Sequence, residues 1–192
     1  GTGTGTDGGL VGKGKELLME MDKLNMILDV SHTSDESVKQ ELEIFEGPII
    51  ATHQNCRSVA PGERQFPDHQ LKSVIDRGGV IGHSMDTFMM WKTEIDWSDI
   101  PLPRPFPKDE VTLEDFVDHI DHVCQLSGNS LHSAIGGDTD GQGGMVGAPK
   151  EVDTVLDYQK IITLLQKRGY KHSDIENIFY KNWQRFFEAN LP

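Results

Sequence analysis

Short apolar runs alternate with amphipathic stretches along most of this chain. Four of the runs have the length of buried strands, at residues 26–32, 48–53, 80–84 and 133–137. The stretches between them repeat apolar residues every three or four positions, as one face of an α-helix does. Strands spaced by such helices indicate βαβ units and a parallel sheet, so the predicted fold class is α/β. Four strands suit either a small open sheet or half of an eight-stranded (β/α) barrel.

Capping residues indicate where several of the predicted helices begin. Ser34 precedes one helix, Thr112 with Asp115 three positions later is a capping-box variant, and Ser173 with Glu176 is another capping box. The residues expected to face inward are Leu17, Leu18, Met21 and Leu24; Val38, Leu42 and Phe45; Leu71, Val74 and Ile75; Leu113, Phe116, Val117, Ile120 and Cys124; and Leu156, Ile161, Leu164 and Leu165.

Composition narrows the class of protein. Hydrophobic residues make up 36% of the chain and charged residues 26%, which predicts a folded domain rather than a disordered one. The net charge of -13 argues against a nucleic-acid partner, because such binding depends on clustered Lys and Arg. No apolar run reaches the roughly 18 residues of a membrane span. We therefore expect a soluble segment, with compartment undetermined and a flexible Gly- and Thr-rich loop or boundary at residues 1–9.

The chemistry is concentrated at the ends of the predicted strands. His32 and His53 lie 53 − 32 = 21 positions apart, and each closes an apolar strand. Neighbouring parallel strands lie about 4.8 Å apart and end at the same face, so two such imidazoles can reach one ion, and imidazole is a common zinc ligand. Asp138 ends the fourth strand, where it can bind a metal or accept a proton from water. The alternative for each histidine alone is a loop hydrogen bond.

Five collinear segments resemble the membrane (renal) dipeptidase family, peptidase family M19. They are residues 9–32, 48–57, 78–82, 118–122 and 136–141, which include the stretches EMDKLNMILDVSH, PIIATHQNCR and GGDTDG. The resemblance covers nearly the whole chain. It implies that residues 10–192 form the C-terminal half, strands five to eight, of a TIM-type (β/α)8 barrel of the metal-dependent hydrolase kind.

The resemblance also implies an activity, hydrolysis of the amide bond of dipeptides by metal-activated water. His32 and His53 would bind one zinc of a two-zinc site, Asp138 would handle the catalytic water and also be a metal ligand, and Arg64 would meet the substrate carboxylate. Gln65 stands where the family has Asn after that arginine. His83, at the end of the third strand, is expected either to contact substrate or to make interior hydrogen bonds.

Some family features lie outside this sequence. Members carry an N-terminal His-x-Asp, a bridging glutamate and a further substrate-binding histidine upstream of the matching region. We therefore expect the remaining zinc ligands from the N-terminal half of the barrel, missing here or on another chain, and a homo-oligomer. The rival hypotheses are another amidohydrolase-like enzyme, such as a lactonase or deacetylase, and a non-catalytic scaffold.

Overall fold

The computed structural model describes residues 8–93, 108–139 and 147–191. The Gly- and Thr-rich start predicted at residues 1–9 lies mostly outside these ranges. The domain boundary drawn at residues 9 and 10 stays a prediction.

Four parallel strands follow one another in space in the same order as along the chain. They are β1 (Leu28–Asp29), β2 (Ile49–Ile50), β3 (Ile81–Ser84) and β4 (Ser133–Gly137). β1 pairs with β2 and β3 with β4, and a parallel bridge between Ala51 and Ile81 joins the two pairs. The predicted α/β alternation is confirmed, and the carboxyl ends of all four strands point the same way.

Helices separate the strands and follow the last one. They are α1 (Gly14–Lys23), α2 (Asp35–Ile44), α3 (Asp68–Asp76), α4 (Leu113–Ser127), α5 (Lys160–Lys167), α6 (His172–Glu176) and α7 (Asn182–Asn190), with a π-helical turn at Asn177–Lys181 between the last two. The Ser34 hydroxyl accepts the Ser37 N–H at 3.2 Å, and Thr112 and Asp115 form the predicted capping box. None of the described helices is long and apolar enough to cross a membrane.

The core lies between the strands and the inner faces of the helices. Phe45, Leu71 and Val74 are fully buried beneath β1 and β2, and the predicted inner face of α4 is buried throughout. Gly82 and Gly136 permit a close approach of strands, because a Cβ on either would collide with the Thr52 carbonyl oxygen. Thr52 thereby lies close against the two following strands.

Three details of the predicted helices were wrong. Leu17 and Leu24 are 60% and 70% exposed, because α1 buries only Leu18 and ends before Leu24. Leu156 is 70% exposed in a 3-10 turn that precedes α5, so it does not share the helical face of Ile161. Ser173 does not cap the final helical region, since α6 begins one residue earlier and Asp174 accepts the Lys171 N–H at 3.0 Å.

Candidate metal centre

His32 and His53 lie side by side at the carboxyl ends of β1 and β2. Their ring centroids are 4.8 Å apart and the rings are tilted by 54°. His32 has a left-handed backbone conformation, with φ of +67°, which is uncommon for a residue other than glycine. The predicted proximity is confirmed, whereas metal binding by the pair stays a prediction.

A chain of hydrogen bonds connects His53 to the end of β1. The Thr52 hydroxyl lies 2.5 Å from Asp29 Oδ2 and 2.8 Å from His53 Nδ1. Asp29 Oδ1 accepts the backbone N–H groups of Ser31 at 3.0 Å and Thr52 at 3.1 Å. Burial raises the pKa of Asp29, but the hydrogen bonds from Thr52 and Ser31 outweigh it and lower the pKa overall. Three donors therefore converge on an ionised carboxylate behind the histidine pair.

Asp138 follows β4 and also has a left-handed backbone, with φ of +62°. One of its oxygens, Oδ2, accepts a hydrogen bond from the Ser84 hydroxyl at 2.8 Å. Its negative charge acts on both histidines and opposes part of the lowering of their pKa values. Asp138, which follows the last of the four strands, therefore interacts electrostatically with the two histidines that follow the first two strands.

Arg64 is buried beside the pair, at 4% exposure. Its guanidinium donates to Gln54 Oε1 at 2.6 Å and to the His53 carbonyl at 2.8 Å. Burial lowers the pKa of Arg64 to about 10, which leaves the group charged at neutral pH. Its predicted contact with a substrate carboxylate stays a prediction.

The pKa values of both imidazoles are lowered, which favours their neutral forms. Burial, followed by the charges of Arg64 and His53, lowers the pKa of His32 to about 4. Burial and Arg64 likewise lower the pKa of His53. A neutral imidazole has the free nitrogen lone pair that a metal requires, so no proton has to be displaced before binding.

His83 is surrounded very differently. It is fully buried, its Nδ1 lies 3.1 Å from the Gln54 carbonyl, and its Nε2 lies 2.9 Å from the Ser133 hydroxyl. Both ring nitrogens therefore have partners inside the protein. Of the two predicted roles, these contacts favour interior hydrogen bonding over substrate contact.

The described residues do not by themselves form a complete metal site. Within residues 8–93, 108–139 and 147–191, no three His, Cys, Asp or Glu side chains form a group that could hold a metal ion. Two neutral imidazoles at this spacing do suit zinc, which takes nitrogen donors and commonly four ligands. The donor set fits half of a zinc shell, and Asp138 does not complete a three-ligand group with the histidines.

Three residues of this region were not predicted as site residues from the sequence: Asp29, Thr52 and Ser84. A signal existed for Asp29, since it is the polar interruption in the apolar run before His32. Thr52 and Ser84 carry no such signal, because small hydroxyl residues are common in strands. Their contacts emerge only when neighbouring strands are aligned.

The family model for membrane dipeptidase (peptidase family M19) matches residues 2–190. The chain belongs to peptidase family M19. It is 28% identical over 94% of its length to an uncharacterised protein of Klebsiella pneumoniae encoded in the pqqA 5′ region, of which it covers 60%. It is 31% identical over 95% of its length to dipeptidase verJ of Clonostachys rogersoniana, of which it covers 42%.

A solved structure of the same fold is the metallo peptidase of Rhodobacter sphaeroides liganded with a phosphinate mimic of the dipeptide L-Ala-D-Ala. The TM-score is 0.78 at 23% identity, over 96% of this M19 chain and 48% of the other. Together these matches show that the chain spans about half the length of several M19 relatives. Its fold is that of the matching region of a metallo peptidase.

Proposed function

We propose that this chain forms the C-terminal half, strands five to eight, of the (β/α)8 barrel of a zinc-dependent dipeptidase. The observation that carries the proposal is the pairing of His32 with His53 at the ends of adjacent parallel strands. Family membership supports a peptidase, and the neutral state of both imidazoles supports a metal. The complete site would bind two zinc ions, with further ligands supplied by the proposed other half of the barrel.

Each predicted residue has a distinct role in this proposal. Zinc, when bound, supplies Lewis acidity that makes a water nucleophilic and polarises the scissile carbonyl. His32 and His53 provide two nitrogen donors, and Asp138 accepts the proton that the attacking water loses. The Ser84 hydroxyl, by donating to Asp138 Oδ2, holds that carboxylate in one orientation and leaves Oδ1 to receive the proton.

Arg64 is proposed to select substrates that have a free carboxylate. Its guanidinium is held by Gln54 and by the His53 carbonyl, so its position is tied to that of a proposed zinc ligand. A planar guanidinium pairs well with a carboxylate. A dipeptide places its carboxylate one residue beyond the scissile amide, and the similar metallo peptidase that binds an L-Ala-D-Ala mimic suggests a D-residue at the second position.

A chimera tests the proposal directly. The matching segment of the Rhodobacter sphaeroides metallo peptidase is replaced by this chain, and zinc content and L-Ala-D-Ala hydrolysis are measured. We expect about two zinc ions per barrel and measurable hydrolysis, both reduced by His53→Asn. The matched control is His172→Asn on the exposed start of α6, which should change neither. A folded chimera without zinc would sink the proposal and favour the scaffold hypothesis.

Substrate comparison separates the dipeptidase from other metal hydrolases. L-Ala-D-Ala, its C-terminal amide, a lactone and an N-acetyl amino acid are supplied to the same chimera. We expect the free dipeptide to be preferred over the amide by at least about 10-fold, because the amide removes the charge that Arg64 would meet. Faster turnover of the lactone or the acetyl compound would instead indicate a lactonase or a deacetylase.

A further inference from the structure

The directions of the hydrogen bonds around the Thr52 hydroxyl determine which ring nitrogen of His53 carries the proton. Thr52 has one hydroxyl proton and two close neighbours, Asp29 Oδ2 at 2.5 Å and His53 Nδ1 at 2.8 Å. A carboxylate can only accept hydrogen bonds, whereas a neutral imidazole nitrogen can donate or accept. The hydroxyl proton therefore points to Asp29, and the Thr52 oxygen is left to accept a hydrogen bond from His53.

We infer that Asp29 and Thr52 are positioning residues that hold His53 in its Nδ1–H tautomer and so direct the Nε2 lone pair to the metal. The inference rests on the proposed function for the identity of His53 as a ligand, and on the hydrogen bonds alone for the tautomer. Metal-binding histidines are commonly oriented in this way by a hydrogen bond at the other ring nitrogen. Here a threonine hydroxyl transmits the effect of the carboxylate.

The geometry around Asp29 supports a fixed direction. Its Oδ1 receives two backbone N–H groups, from Ser31 and Thr52, while Oδ2 receives the Thr52 hydroxyl. Thr52 is thus bound through both its N–H and its hydroxyl across the β1–β2 pair. The Ser31 hydroxyl in turn accepts the His53 backbone N–H at 3.2 Å. The carboxylate and the Thr52 hydroxyl are therefore each held from two sides, and the His53 backbone is held by Ser31.

Two substitutions reverse or remove the effect. Asp29→Asn keeps an oxygen for the backbone N–H groups and places an amide N–H opposite the Thr52 hydroxyl. The hydroxyl proton then turns towards His53, which becomes the Nε2–H tautomer. Thr52→Val removes the hydroxyl at nearly constant volume and leaves the tautomer unconstrained. Thr52→Ser retains the hydroxyl and is the rescue variant.

The test reads the tautomer by long-range ¹H–¹⁵N NMR of the histidine rings in the metal-free protein at about pH 8, where unperturbed imidazole is neutral. The His53 signals are assigned by their loss in His53→Asn. We expect Nδ1–H for His53 in the unsubstituted chain and in Thr52→Ser, Nε2–H in Asp29→Asn, and a mixture in Thr52→Val. An Nε2–H signal in the unsubstituted chain overturns the inference, even if every variant fails to fold.

The second measurement is the zinc affinity of the chimera, determined by competition with a chromophoric chelator. Thr52→Val should weaken zinc binding by roughly 10- to 100-fold, and Thr52→Ser should restore it. Unchanged affinity in Thr52→Val, with zinc bound through His53, would contradict the positioning role. If the unsubstituted chimera binds no zinc while His53 is Nδ1–H, the proposed function fails and the tautomer assignment stands, so the two failures are distinguishable.

Discussion

Two pairs of histidines in this chain have opposite surroundings. His32 and His53 lie at strand ends, with ring centroids 4.8 Å apart, and neither is fully buried. His83 and His119 lie in the core with centroids 6.2 Å apart, and both are fully buried. In the first pair the Thr52 hydroxyl lies against Nδ1 of His53, whereas His83 uses both ring nitrogens on protein atoms.

The difference shows what separates a candidate ligand from a structural histidine. All four imidazoles have lowered pKa values with burial as the leading cause, so the neutral state alone does not distinguish them. The two pairs differ in solvent exposure: His32 and His53 are partly exposed, whereas His83 and His119 are fully buried. A metal-binding histidine commonly has one ring nitrogen oriented by a protein group while the other remains reachable.

The largest expected effect is the loss of zinc binding when the first pair is broken. His32→Ala or His53→Ala should reduce zinc affinity by at least about 100-fold, because each removes a proposed ligand outright. Chelator competition on the chimera measures it. His83→Ala is the matched comparison, and equal losses of affinity in all three variants would remove the distinction between the pairs.

The second pair should matter for folding instead. His83→Ala removes a fully buried ring and leaves the Gln54 carbonyl and the Ser133 hydroxyl without that partner. We expect a loss of about 2–4 kcal/mol in the free energy of unfolding, from a cavity and unsatisfied polar groups. Urea denaturation measures it, with exposed His172→Ala as the control. A loss below about 0.5 kcal/mol would contradict the structural role.

Glu41 extends the comparison to a buried carboxyl group with one oxygen that lacks a hydrogen-bond partner among the described residues. It lies in α2 at 4% exposure, and its Oε2 has no hydrogen-bond partner among the described residues. Burial raises its pKa from 4.5 to about 7. The unfolded chain releases this proton at lower pH than the folded chain, so Glu41 weakens folding increasingly as pH rises from 4.5 to 7.

Replacing that carboxyl should therefore stabilise the protein only at the higher pH. Glu41→Gln is expected to raise the free energy of unfolding by about 1–3 kcal/mol at pH 8, with little change near pH 4. Denaturation at the two pH values measures the difference, and Glu43→Gln on the exposed side of α2 is the control. A gain that is equal at both pH values would show that the charge is not responsible.

The smallest expected effect comes from the cap of α4, the helix that carries His119. Thr112→Ala removes the hydroxyl that accepts the Asp115 N–H at 3.4 Å and should cost about 1 kcal/mol of stability. Zinc affinity of the chimera should be unchanged, since α4 contributes to the core pair and not to the strand-end pair. Weaker zinc binding would show that the two regions are energetically coupled.

Much of the fold could be predicted from the local pattern. The order of strands and helices, the Ser34 and Thr112 caps and the buried face of α4 all follow from short-range periodicity and capping chemistry. The errors at Leu24 and Leu156 arise because both residues lie outside the helices assigned to them, whereas Leu17 lies within α1 on an exposed side. Apolar residues near helix ends mark a face, but burial depends on whether another element covers that face.

The sequence by itself placed His32 and His53 after successive strands, because position relative to an apolar run is a local property, although each strand ends three residues before its histidine in the structure. It also placed Asp138 after the last strand. Only the tertiary structure decided that the Asp29 carboxylate meets Thr52, whose hydroxyl contacts His53, and that His83 points into the core. These outcomes depend on strand register and on which side of each strand is covered, and both are set by contacts between residues far apart in the chain.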